Sequence, residues 1–504
     1  MKKLILLFIV VLAFFLRVYK VDEVPPSLYW DEASLGYNAY SIATTLHDEH
    51  GEFLPIQRFM AFGDYKPPGY IYAAAVSIKL FGLSEFSIRL PSVLAGTLLV
   101  VVCYFLVKEL GLGKKSAFIA STILAISPWS LQMSRAAFEG NLATLFSGLG
   151  ILFFLIAVRT KSVSRYLLSS LFFAAAMYTF NSHRVFVPLI ITALGLIYLK
   201  DILNQKRKLI VFGLALIFLL APLFPYLTTK ESRLRFEEVS WTKDLTPIEL
   251  SNRRIETDGN TLLAKIIHNR RVIWGQEFLK HYFDHFKADF LFISGDINER
   301  LSTRTVGVLY LIELPFLLIG LYFLIKNKSK TAAILFAWLI LSPVPAAMAR
   351  ETPHALRFLN VLPVFQIITA VGIGLALKIK YLKFIIPALY LLSFSYYIFD
   401  YYNFYPTRSA GYWQYGYKEA VKEVSRLEDQ YPCVWVTEDA GRPYIYFLLY
   451  NKYPPEKYWA NRNVSRDWFG FWTVHNFDKY YFGTNPGTCL KVNYVDNKFI
   501  ITDL

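Results

Sequence analysis

The sequence predicts an all-α polytopic membrane protein with a small α/β domain outside the bilayer. Three observations point there. The 504-residue chain is 55% hydrophobic and 17% aromatic with only 18% charged residues, a balance that suits helices in lipid rather than an ordinary soluble domain. Its apolar residues gather into runs, and a hydrocarbon core of about 30 Å takes about 20 residues of helix to cross. Its basic residues, finally, alternate with those runs.

Reading for such runs gives about eleven transmembrane helices, near 4–19, 86–107, 117–134, 142–158, 166–182, 185–199, 209–227, 305–325, 331–349, 355–377 and 384–399. The first begins with Lys2-Lys3 like a secretory signal, but Leu16-Arg17-Val18-Tyr19 offers no small-residue cleavage site, so an uncleaved helix is expected. Six short segments (Lys2-Lys3, Lys108 to Lys115, Arg159 to Arg165, Lys200 to Lys208, Lys326 to Lys330 and Lys378 to Lys383) hold eighteen Lys/Arg against two acids, enough to account for the whole net charge of +15. They fall at every second gap between runs. The positive-inside rule therefore assigns them, with the N-terminus, to the cytoplasm. The basicity is topological, and nucleic acid is not an expected partner.

The remaining gaps face outward, in a multi-pass protein of the cell (inner) membrane. Long external segments are expected at 20–85 and 228–304, the latter carrying helices along the interface. A membrane domain over 1–399 is then followed by an extracytoplasmic domain over 400–504. There the apolar runs shorten and aromatic residues crowd in, as in Tyr412-Trp413-Gln414-Tyr415-Gly416-Tyr417. Tyr417 to Leu427 reads as an amphipathic helix and Cys433 to Thr437 as a strand, hence α/β. Cys433 and Cys489 share that exterior tail, where a disulfide can form in an oxidising compartment. Cys103 lies alone in a span.

Chemistry-bearing residues concentrate on the outer side. Tyr29-Trp30-Asp31-Glu32 follows the first span. On a helix the two acids point about 100° apart, so one can face a cleft while the other bonds backbone or a basic neighbour. Equally, both can simply favour the N-terminus of an interfacial helix running to about Leu46. In Asp64-Tyr65-Lys66-Pro67-Pro68 two prolines fix the direction of a lysine that suits a phosphate, or that snorkels at the membrane surface.

Arg135 and Glu139 sit at the mouth between two spans, either as a helix-surface pair or as functional groups. Arg89, His183, Arg184, Arg350, His354 and Arg357 gather on the same side, against the positive-inside bias, which suits a lipid-linked phosphate. Glu313 is an intramembrane acid beside Pro315. His281 and His285 lie one turn apart on one face, but a metal site there would need further ligands.

Taken in order, Asp31-Glu32, Lys66-Pro67-Pro68, Ser87-Ile88-Arg89-Leu90-Pro91-Ser92, Ser127-Pro128-Trp129, Ser134-Arg135, Glu139, Phe290 to Asp296, Glu313-Leu314-Pro315 and Pro353-His354-Ala355-Leu356-Arg357 resemble the GT-C superfamily of polyprenyl-phosphate-sugar glycosyltransferases. The likeness is to bacterial relatives of protein O-mannosyltransferases and of the lipid A aminoarabinose transferase, and it covers about the first 360 residues.

The resemblance implies transfer of one sugar, a hexose or pentose, from a polyprenyl-phosphate donor to a hydroxyl of a lipid, polysaccharide or protein acceptor, with inversion. It casts Asp31, Glu32 and Glu139 as catalytic carboxylates, Asp31 as the base. It casts Lys66, Arg89, Arg135, Arg357 and His354 as donor-phosphate ligands, with Tyr65, His183, Arg184 and Glu313 as further candidates. Tyr65 stands where some relatives carry a metal-binding acid, so no cofactor is assigned and a divalent metal is left open. An oligosaccharide ligase or polymerase, or a lipid-linked sugar transporter, is the alternative. The first usually leans on late-loop arginine and histidine, and the second on duplicated halves, of which no trace is seen.

Overall fold

The computed structural model describes residues 2–62, 64–229, 232, 246–466, 472–495 and 498–502. The parts of the segment 228–304, expected to be external, at 230–231 and 233–245 lie outside them. Helix occupies some part of every apolar run. Among the described residues four helices are long and apolar enough to cross a membrane: Glu85–Glu109, Glu139–Thr160, Lys330–Ala347 and Leu382–Asn403. Others, such as Val163–Met177, His183–Ile197 and Val364–Ala376, are apolar but shorter. Large apolar side chains such as Phe218, Phe384 and Leu392 stand exposed on the outside of the bundle, as lipid-facing residues do and a soluble surface rarely allows.

Helix α1 (Lys2–Val18) leads into the first long segment expected outside the membrane, which is largely ordered structure. It holds α2 (Trp30–Thr45), the hairpin β1 (Phe59–Ala61) and β2 (Asp64–Lys66), and α3 (Gly69–Phe81). The helix expected to run to about Leu46 is α2, closed by Leu46 in the left-handed conformation and largely buried in protein. Next come α4 (Glu85–Glu109) and α5 (Gly113–Ile126). The run expected to be continuous over 117–134 breaks at Ser127, whose side chain caps the separate helix α6 (Pro128–Ser134), because Pro128 removes a donor and favours a first-turn position. Helices α7 (Glu139–Thr160), α8 (Val163–Met177) and α9 (His183–Ile197) follow.

Two later runs also depart from a straight span. The helix expected from 305 begins only at Glu313. Before it, Val308 and Leu309 donate backbone hydrogen bonds to Phe290 and Leu291. The run from 355 opens with a 3₁₀ turn, Leu359–Val361, before the helix Val364–Ala376. That helix meets Glu313–Asn327 at unusually short range: a β-carbon on Gly372 would strike the Phe316 carbonyl, and one on Gly320 the Ile368 carbonyl. Small residues let helix backbones touch in lipid.

The last long helix ends at Asn403, and beyond it lies the expected α/β unit. Its six-stranded sheet has the order β4-β5-β6-β3-β7-β8. Strand β3 (Val434–Val436) runs parallel to both β6 (Tyr480–Phe482) and β7 (Leu490–Val495). The outer strands β4 (Arg462–Arg466), β5 (Trp472–Phe477) and β8 (Lys498–Thr502) pair antiparallel. Tyr417–Leu427 is a helix as expected, and a Cys433–Cys489 disulfide joins the starts of β3 and β7. This unit sits on the segment between α1 and α4: Tyr37 donates to the Tyr453 carbonyl, Tyr444 to Glu49, and Trp459 and Arg462 to the Glu49 carbonyl.

Candidate functional site

The two adjacent acids at the start of α2 go separate ways. Glu32 is fully buried and forms a two-pronged ion pair with Arg89, Nε to Oε1 and Nη2 to Oε2 both 3.0 Å, while also accepting the Ala137 N–H at 2.7 Å. Asp31 faces a cleft, and its Oδ1 lies 2.7 Å from Lys66 Nζ. Lys66 closes the hairpin, where Pro67 and Pro68 stop the strand. The Gly69 N–H, donating to the Tyr178 carbonyl at 2.9 Å, ties the hairpin end to α8. Glu139, the first residue of α7, brings Oε1 to 3.9 Å from the same ammonium.

These three residues line a cleft of about 180 Å³ together with Tyr29, Tyr65, Phe138, Asn181, Asn298, Arg300, His354 and Arg357. Two outer loops build its far wall. Asp296, buried, accepts the Asn298 N–H at 2.9 Å and the Ala355 N–H at 2.6 Å, so one carboxyl clamps the 296–300 loop to the 354–357 turn. Burial pushes Asp296 up to about 6.

Asn298 Oδ1 in turn accepts from Arg300 Nε at 3.3 Å, and the Arg300 guanidinium lies 4.8 Å over the Tyr29 ring. His354 Nδ1 accepts the Arg357 N–H at 3.4 Å. Desolvation, with the Arg357 charge beside it, holds His354 well below the usual histidine range, so it is a neutral imidazole whose other nitrogen can donate. Burial, reinforced by Asp31 and Glu139, raises the Tyr29 phenol well above its ordinary value. It stays a hydroxyl.

Several expected ligands are elsewhere. Arg89, besides Glu32, donates to the carbonyls of Val21, Pro25 and Ser27. Arg135 donates to the carbonyls of Leu16, Arg17, Lys20 and Val24 and to Tyr401 Oη, closing the C-terminal end of α1. Both are buried and neither lines the cleft. Glu32 is likewise a buried partner and not a cleft carboxylate. The sequence cast Arg89 and Arg135 as phosphate ligands and Glu32 as a catalytic carboxylate; in the structure backbone oxygens occupy both cations and Arg89 occupies the acid, so none of the three faces the cleft.

Glu313 accepts the Tyr310 N–H at 3.2 Å at the head of its own helix, away from the cleft. His183 is buried between Phe180 and Phe186. Arg184 donates to the Met177 carbonyl and stacks on Tyr226 at 5.5 Å, lining a neighbouring groove of about 260 Å³. That groove is mostly apolar, with Val185, Leu227 and Met348, and it shares Phe180, Asn181 and Arg357 with the cleft.

A metal fits poorly here. The charge between Asp31 and Glu139 is already the Lys66 ammonium, and among the described residues no three His, Cys, Asp or Glu side chains come together as a ligand set. His285, one of the pair read as a partial metal site, instead donates Nδ1–H to the His281 carbonyl and accepts the His354 N–H.

Residues 65–226 match the family model described as dolichyl-phosphate-mannose-protein mannosyltransferase. A Bacillus subtilis (strain 168) protein named "Putative mannosyltransferase YkcB" is 27% identical over 199 residues, 39% of this chain and 26% of its own length. The oligosaccharyltransferase of Archaeoglobus fulgidus superposes with a TM-score of 0.54 in its apo form, at 13% identity over 89% of this chain and 63% of that one. Its complex with an inhibitory peptide and a dolichol-phosphate gives 0.53 at the same identity and coverage. By fold, the chain is similar to this archaeal oligosaccharyltransferase.

The chain spans about a quarter of the length of the curated relative and under two thirds of the archaeal enzyme. Its cleft also contains residues that sequence reasoning passed over: Tyr29, Phe138, Asn181, Asn298 and Arg300. The spacing Asp296-Ile297-Asn298-Glu299-Arg300 carried a readable signal, since Asp and Asn side chains bond backbone N–H groups two residues on. As it stands, the cleft can take a proton at one carboxylate and hold an anion against arginine and a neutral histidine, next to an apolar groove.

Proposed function

We propose that this protein moves a single sugar from a polyprenyl monophosphate to an acceptor hydroxyl, with inversion, on the extracytoplasmic side of a membrane that it crosses about eleven times with its N-terminus in the cytoplasm. The observation that carries this is the position of Arg357, which lines both the polar cleft holding Asp31 and the adjoining apolar groove. A donor with a charged head and a hydrocarbon tail needs that junction. The family description and the dolichol-phosphate held by the archaeal structure support the donor class.

In this reading the acceptor oxygen attacks the anomeric carbon while its proton passes to Asp31, which is aligned by Lys66. The sugar–phosphate bond breaks as the new glycosidic bond forms, and the electron pair leaves on the phosphate. Arg357, Arg300 and the neutral His354 face that developing charge, where fixed donors lower the barrier. Glu139 shares Lys66 and orients sugar or acceptor. The cleft is smaller than the roughly 300–1,000 Å³ of drug-sized ligand sites, which favours one sugar ring over an oligosaccharide.

The test is release of undecaprenyl phosphate from single-sugar undecaprenyl phosphates by the purified protein with acceptor present. Asp31→Asn should lose about 10²–10⁴-fold in turnover while still binding donor. Full activity in that variant would remove Asp31 from the mechanism. Glycans and lipids compared by mass spectrometry, with and without the gene, would identify sugar and acceptor.

A further inference from the structure

The helix that presents Asp31 lacks a cap of its own. Tyr29 occupies the N-cap position and its side chain makes no capping hydrogen bond, although the first N–H groups of a helix need acceptors from outside it. Glu32, three residues on, cannot reach back because Arg89 holds it.

The acceptor comes from 384 residues further along the chain. The Trp30 N–H donates to Gln414 Oε1 at 3.1 Å, and that oxygen is also 3.2 Å from the Tyr446 hydroxyl. Gln414 is buried, with φ at +48°, a left-handed conformation uncommon outside glycine. Gly441, also in the C-terminal domain, has φ at +109°, and a β-carbon there would run into the Trp30 ring. The domain thus fits closely around the residue next to Asp31.

The same connector holds the opposite wall. Trp413, fully buried, packs edge-on against Tyr29 at 5.6 Å and donates Nε1–H to Tyr405 Oη at 2.9 Å. The Tyr405 hydroxyl donates to the Glu299 carbonyl at 2.7 Å and accepts from Gln132, which also donates to the Arg300 carbonyl at 2.8 Å. Residues 405–414 therefore tie the Trp30–Asp31 turn and the Glu299–Arg300 loop to one short piece of chain.

We infer that Gln414 is a positioning residue for Asp31, supplying from the distant C-terminal domain the N-terminal cap of its helix, so that this domain sets the geometry of the cleft carboxylate. The inference rests on the reading of Asp31 as base. Displacement of a reacting group by about 1 Å can cost about 10²-fold, so the acceptor that fixes the N–H just before Asp31 bears on turnover.

The experiment compares wild type, Gln414→Leu and Gln414→Glu as full-length proteins in detergent. One measurement is turnover of undecaprenyl-phosphate-linked mannose with acceptor-bearing membranes, and the other is hydrogen exchange of the peptide covering 28–34. Gln414→Leu should lower kcat about tenfold or more with donor KM changed less than about threefold, and should speed exchange in that peptide. Gln414→Glu keeps the acceptor oxygen and should restore both.

Unchanged exchange and kcat in Gln414→Leu would overturn the inference. So would an equal loss of kcat and melting temperature in both variants, which marks a packing residue only. Failure of the underlying reading shows differently: Asp31→Asn would then turn over like wild type, whatever the exchange data give.

Discussion

Three arginines in the packed interior and two in the cleft lie on the same side of the bundle, yet their surroundings differ in kind. Arg17, Arg89 and Arg135 are buried and turned toward carbonyls, hydroxyls and, for Arg89, a carboxylate. They knit the end of α1 to α4 and α6. Arg300 and Arg357 line an open space beside Asp31 and His354. A guanidinium has five donors, and what receives them decides whether it is structure or binding surface.

The sharpest way to break the comparison is Arg89→Met. It leaves Glu32 buried without its partner, and breaking such a pair costs about 3–5 kcal/mol, a large part of a typical total stability. The expected outcome is little folded protein after detergent extraction, read by yield and melting temperature. Asp31→Asn, one residue from Glu32, should melt like wild type. If Arg89→Met folds normally and loses only donor affinity, the interior arginine belongs with the cleft after all.

A second, smaller effect sharpens the other side. Arg357→Ala should weaken donor binding about tenfold or more, since a hydrogen bond to a charged group contributes about 1.5–3 kcal/mol. Stability should change little, and titration with undecaprenyl phosphate reads the difference. Equal binding in the variant would detach the junction of cleft and groove from the phosphate.

The smallest effect is in pH. Burial pulls His285 down to about 4 from 6.5, so between these values the unfolded chain takes up a proton that the folded one refuses. Stability therefore falls as pH drops below 6.5, by at most about 1.4 kcal/mol per unit. Asp296, pushed up to about 6 from 3.8, acts in the opposite direction between those values, because there the folded form binds the extra proton. Melting curves of wild type and His285→Gln from pH 7 to 5 separate the two. The variant should lose less on acidification, and identical slopes would show that His285 does not refuse the proton.

Sequence showed the helical membrane-type architecture because it is written in local composition, as apolar runs with lysines and arginines between them. It brought Asp31, Lys66, Glu139, His354 and Arg357 into one site because each stands beside a proline, a helix start or an outer turn. It placed Arg89 and Arg135 with the cleft, which neither lines, because nothing local shows that the carbonyls after α1 turn inward to meet them. Arg300 was missed since the motif was followed only to Asp296. The order of the C-terminal sheet was illegible because strands as short as three residues, such as Val434–Val436, pair with partners far along the chain. Gln414 gave no sign at all: its importance is that of an acceptor 384 residues from the helix it caps.

The contact between Gly320 and Gly372 bears on how the proposed lipid donor would come and go. Two helices whose backbones touch leave no seam for a hydrocarbon tail to part, so that pair acts as a fixed post. Under the proposed function the groove along Phe180, Tyr226 and Met348, ending at Arg357, is the side entrance, through which each spent carrier would back out while the post stands still.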